Sequence, residues 1–71
     1  MELIGLKEIR KQRNVTQQKV ALDLAISREA LSYYENGRRS PDVDMLVKLA
    51  DYFNVTVDFL IFGSENSRKS K

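Results

Sequence analysis

A chain of 71 residues with no cysteine and no histidine has room for one domain, near the lower size at which a core sustains itself without disulfides or metal. Those two absences exclude the usual zinc sites, thiol nucleophiles, Ser-His triads and imidazole acid/base chemistry. Hydrophobic residues at 42% and charged residues at 31% describe an ordinary globule. No apolar run approaches the ~18 residues of a membrane span, and MELIGLKEIRKQR lacks a secretory h-region, so a cytoplasmic protein without metal or cofactor is expected.

The net charge of +2 conceals an uneven distribution. Residues 1–40 hold eight basic against five acidic side chains, for +3; residues 41–62 set Lys48 against Asp42, Asp44, Asp51 and Asp58, for −3; residues 63–71 return +2. A polyanion is drawn to the first forty residues and repelled by the next twenty-two. An unevenly charged, solvated surface is the alternative at this point.

Leu3, Leu6 and Ile9 predict a first helix over residues 3–13, ended by Asn14, which tolerates a left-handed cap. Arg10 and Arg13 fall in its last turn. Thr16 can cap a second helix, Gln17 to Leu24, with Val20, Ala21 and Leu24 on one face. After a break at Ala25-Ile26, Ser27 can cap a third helix from Arg28 to Asn36, terminated at Gly37, with Leu31 and Tyr34 inward. Arg38 to Asp42 is a polar loop containing Pro41, and Ser40 or Asp42 can cap a fourth helix to Phe53 that buries Met45, Leu46, Leu49 and Phe53. Thr56 can cap a fifth, Val57 to Phe62, stopped by Gly63. In it Val57, Leu60 and Ile61 fill one inward face, which leaves Phe59 and Phe62 for a partner surface. No period-two alternation persists, so the prediction is an all-α, compact five-helix bundle over residues 1–63. Residues 64–71, without an apolar side chain, are expected to be a disordered tail or the start of a linker.

Gln17 to Asn36 therefore forms two helices joined by a turn of about three residues. A steep crossing over so short a turn needs a small residue at the contact, Ala21, and apolar side chains in the wedge, here Val20, Leu24, Ile26, Leu31 and Tyr34. With LKEIRKQRNVTQQKVAL before it and ISREALSYYENGRRSPDVDMLVKLADYF and NVTVDFLIFG after, residues 6–63 resemble the Cro/C1-type (Xre family) helix-turn-helix repressors of phages and bacteria. The chain departs from the family's common glycine where the second helix ends: it has Ala25, which must accept a cramped, left-handed backbone.

The resemblance implies a third helix in the DNA major groove and a second helix across the phosphates. On the third helix, spacing turns Arg28, Glu29, Ser32, Tyr33 and Asn36 away from the core. Arg28 can reach guanine or clamp phosphate, Glu29 can accept from cytosine, and Ser32 and Tyr33 can meet a base edge or a thymine methyl. Gln17 and Gln18 are placed to reach phosphate, and Asn36, Arg38 and Arg39 to grip the backbone beyond. In this family, positions matching Arg10 and Glu35 often form an internal ion pair, so a structural role is expected for both. Phe59 and Phe62 are the expected two-fold contact of a homodimer, with burial against the first helix as the competing reading.

The resulting expectation is a sequence-specific regulator of transcription that binds double-stranded DNA as a dimer on a palindromic operator, most simply a repressor. No small-molecule ligand and no membrane partner are implied. The alternative is a protein-interaction module, antitoxin-like or a docking domain, using the aromatics of the fifth helix. An enzyme is not expected, since the carboxylates read as caps and solvated faces and no glycine-rich phosphate loop is present.

Overall fold

The computed structural model describes residues 2–63; the expectation of a tail beyond Gly63 falls outside them. Five helices follow in order: α1 (Ile4–Gln12), α2 (Gln17–Leu24), α3 (Arg28–Asn36), α4 (Val43–Phe53) and α5 (Val57–Phe62). Four begin at a side-chain cap that satisfies an otherwise unpaired amide. Thr16 Oγ1 accepts from the Lys19 amide at 3.1 Å, Ser27 Oγ from Ala30 at 3.0 Å, Asp42 Oδ1 from Met45 at 2.9 Å and Thr56 Oγ1 from Phe59 at 3.0 Å. Each such cap contributes about 1 kcal/mol. The choice left open between Ser40 and Asp42 falls to Asp42, whose charge also suits the positive end of the α4 dipole.

Helix α1 is shorter at both ends than its periodicity suggests. Leu3 occupies the cap position outside the helix, with its side chain fully buried and its amide directed at the Tyr34 carbonyl, 3.5 Å away. At the other end Arg13 is the cap and Asn14 takes φ +57°. The core gathers Leu3, Leu6, Ile9, Val20, Leu31, Leu49, Ala50, Phe53 and Leu60, one or more from every helix. Met45 and Leu46, expected inside α4, are half-buried at its margin.

Ala25 adopts φ +60°, ψ +39°. The turn holds it there: its amide donates to the Leu22 carbonyl at 3.2 Å, and the Ile26 amide donates to Ala21 at 2.9 Å, which sends Ile26 back against the core. A Cβ in this region costs about 1 kcal/mol, partly offset by the freedom glycine adds to the unfolded chain. Ala25→Gly is therefore expected to stabilise by about 0.5 kcal/mol, which calorimetry would register as a midpoint roughly 2–4 °C higher.

Two side-chain hydrogen bonds between residues distant in sequence help tie the bundle together. Arg13 Nη2 donates to the Phe53 carbonyl at 2.9 Å, closing the end of α4. The Tyr52 hydroxyl donates to Asp23 Oδ2 at 2.5 Å, linking α4 to α2, while Lys19 pairs with the same carboxylate at 3.1 Å. The Tyr52 hydrogen bond, then Lys19, holds the Asp23 carboxyl below its ordinary value. A carboxyl depressed by folding contributes stability above its unfolded pKa of about 3.9 and loses it as pH falls through the lower folded value. Tyr52→Phe is thus expected to make the stability profile shallower below about pH 4. Denaturant midpoints measured from pH 2 to 7 would show it, and an unchanged acid limb would contradict the link.

Candidate nucleic-acid interface

The α2–α3 unit is set by what lies in its wedge. Ala21, 3% exposed, allows α2 and α3 to approach closely, and Val20 and Leu31 are fully buried between them, flanked by Leu24, Ile26 and Tyr34. Sealed on that side, α3 presents its opposite face outward. Arg28, Glu29 and Asn36 are exposed on it, and Ser32 and Tyr33 are half-buried. Asn36 lies along its own helix, its Nδ2 donating to the Ser32 carbonyl at 2.9 Å and to Ser32 Oγ at 3.3 Å.

Gly37, at φ +79°, ends α3 and turns the chain back. The Arg38 and Arg39 amides both point at the Tyr33 carbonyl, at 2.9 and 3.4 Å. The loop is thereby folded under the end of α3, with both arginine side chains exposed. The Arg38 guanidinium sits over the Tyr33 ring, 5.9 Å from its centroid, a cation–π contact that keeps the charge beside the outward face of α3. Gln18 is exposed on α2.

Beneath this face is a buried charge. Glu35 has a fully inaccessible side chain, gripped by Arg10 through Nε at 2.6 Å and Nη2 at 3.2 Å, while Arg10 Nη1 donates to the Val15 carbonyl at 3.0 Å. A third donor reaches Glu35 from α2: Gln17 Nε2, 2.9 Å from Oε1. The other end of the same amide accepts from Arg28 Nη1 at 3.2 Å. Gln17, placed at a phosphate by the resemblance, is half-buried and bonded at both ends within the protein.

The two phenylalanines of α5 divide. Phe59 is half-buried and packs on the core, whereas Phe62 keeps 46% of its surface exposed. The reason for the first is Gly5, which lets α1 settle against the backbone of α5 at Phe59. Burial against the first helix, the competing reading, holds for Phe59, though periodicity gave no notice of how closely the two helices approach. The one trace of that approach in the sequence is a glycine inside a predicted helix, where alanine is the better former by about 1 kcal/mol.

A capped pair of helices crossing over an αL turn, with a polar, arginine-bearing outward face on the second, defines a helix-turn-helix domain. The helix-turn-helix family model matches residues 6–60, and the chain belongs to that family. It is 40% identical over 64 residues to the uncharacterized HTH-type transcriptional regulator YqaE of Bacillus subtilis, a match spanning 90% of this chain and 55% of that protein. Similarity to the HTH-type transcriptional regulator ImmR of the same organism is 41% over 66 residues, 93% of this chain and 52% of ImmR. The HTH-type transcriptional activator BcrR of Enterococcus faecalis is 37% identical over 60 residues, 84% of this chain and 29% of BcrR. The chain thus spans about half the length of the first two relatives, or less of the third.

Proposed function

We infer that this domain reads duplex DNA with α3 in the major groove and that it regulates transcription. The observation that carries the reading is the outward face of α3 with the loop folded beneath it. Arg28, Glu29, Ser32, Tyr33 and Asn36 are the groups aimed at base edges and their flanking phosphates, and Arg38 and Arg39 the backbone clamp. Gln18 is assigned to phosphate at the near edge. One such helix covers only a few base pairs, so two copies on half-sites about 34 Å apart supply the specificity a genome demands. Phe62, the exposed aromatic of α5, carries the outward share of that two-fold contact. Phe59 supports it from the core side.

Repression is the simplest consequence, because occupying a promoter needs no contact beyond DNA. The likeness to a protein named as an activator leaves that direction to a reporter assay. Regulation of this kind fits a cytoplasmic protein; among the described residues no helix is long and apolar enough to cross a membrane.

Selection of random duplexes by the purified chain at about 0.15 M salt, where non-specific binding is already weak, tests the reading. A palindrome with half-sites one turn apart is the expected result. Arg38 and Arg39 from two chains would then give a log–log salt slope of about −4, at about 0.9 per contact. Recovery of no motif from folded protein would instead favour a protein-contact role through the aromatics of α5, of which Phe62 is 46% accessible.

A further inference from the structure

We propose that Tyr33 is the positioning residue for Arg38: its ring holds the guanidinium by one flat face and leaves the N–H edges free for a DNA phosphate. The proposal rests on the DNA-reading function inferred above. It moves Tyr33 from the base edge or thymine methyl it was expected to meet to the backbone clamp.

The main chain brings the pair together. Gly37 takes φ +79°, and its amide and those of Arg38 and Arg39 all converge on the Tyr33 carbonyl. The chain leaving α3 is thereby folded back on Tyr33, and the Arg38 guanidinium carbon comes to lie over the ring, 5.9 Å from its centroid. Tyr33 is half-buried and Arg38 exposed. A tyrosine ring turns about fewer side-chain torsions than an arginine, so the ring is the stiffer partner and the guanidinium is the group restrained.

The kind of contact decides the role. A carboxylate beside Arg38 would take up the same N–H groups that a phosphate needs. A ring takes none, because it meets the guanidinium through its face while the donors lie in the plane. Among the described residues no carboxylate pairs with Arg38. Orienting the side chain before it meets DNA removes part of the rotamer entropy otherwise lost on binding. Arg39 shares the loop and the charge but has no ring contact among the described residues, which makes it the internal comparison. An exposed cation–π contact corresponds to about 2- to 5-fold in affinity, or roughly 5- to 30-fold when both chains of a dimer lose it.

Two measurements on the full chain test this. In the free protein, proton NMR is expected to show the Arg38 Hδ resonances shifted upfield of those of Arg39 by the Tyr33 ring, in the wild type and in Tyr33→Phe but not in Tyr33→Leu. The second uses an operator obtained by selection, with thermal midpoints recorded to confirm folding. Tyr33→Phe should bind as the wild type does. Tyr33→Leu should lose roughly 5- to 30-fold, equally on the operator and on its single-base-pair variants. Added to Arg38→Gln, Tyr33→Leu should cost nothing further, whereas with Arg39→Gln the two losses should multiply.

Arg38 resonances that match those of Arg39 in the free wild type would overturn the proposal without reference to DNA, whether or not Tyr33→Leu folds. A Tyr33→Phe variant as weak as Tyr33→Leu would overturn it by making the hydroxyl the working group. A loss confined to one base pair would do so by making Tyr33 a base reader, as would losses that multiply with Arg38→Gln. If the wild-type chain selects no motif, the DNA-reading function fails and the positioning role with it; a selected motif bound equally well by Tyr33→Leu removes the positioning role alone.

Discussion

Replacing Gly5 with alanine lowers the thermal midpoint by roughly 8–16 °C, although alanine is the better helix former by about 1 kcal/mol. A Cβ on Gly5 would stand 1.8 Å from the Phe59 carbonyl oxygen and 2.7 Å from its carbon. Backbone cannot rotate out of the way as a side chain can, so α5 must shift bodily from α1. That movement loosens Leu60, fully buried, and Phe59 against the core. Overpacking of this kind costs up to about 3 kcal/mol or more, and the gain in propensity offsets only a part. Circular dichroism on heating measures the net. A midpoint equal to or above the wild type would mean that α1 and α5 are not in the contact described.

The same glycine marks the boundary of what sequence reasoning reaches. Helix spans and caps depend on neighbours three and four residues apart, so Thr16, Ser27 and Thr56 could be read directly, whereas the strain at Ala25 came from the glycine that the resembling family commonly has there. The outward set on α3 was legible for the same reason, because one helical period assigns all five residues. Which helices touch, and how closely, depends on the sum of all packing and has no local signature. Gly5 against Phe59, Arg13 on the Phe53 carbonyl and Tyr52 on Asp23 are contacts of that kind. Gln17 shows the limit within the interface itself. Its position on α2 was legible, but the bond to Glu35 needs the depth of α3 as well as its phase.

Removing the positive partner of the buried pair, by Arg10→Met, is expected to cost about 3 kcal/mol and to lower the midpoint by roughly 12–24 °C. Glu35 would keep only the Gln17 amide as donor, and the Val15 carbonyl would lose its guanidinium. The penalty belongs to the stranded carboxylate more than to the loss of an attraction, since desolvating two charges offsets most of what their pairing gains. Arg10→Met combined with Glu35→Leu tests that division. With both charges gone, stability should return to within about 1 kcal/mol of the wild type. A double variant as unstable as Arg10→Met would show instead that the geometry of the pair, and not its charge balance, holds α3 on α1.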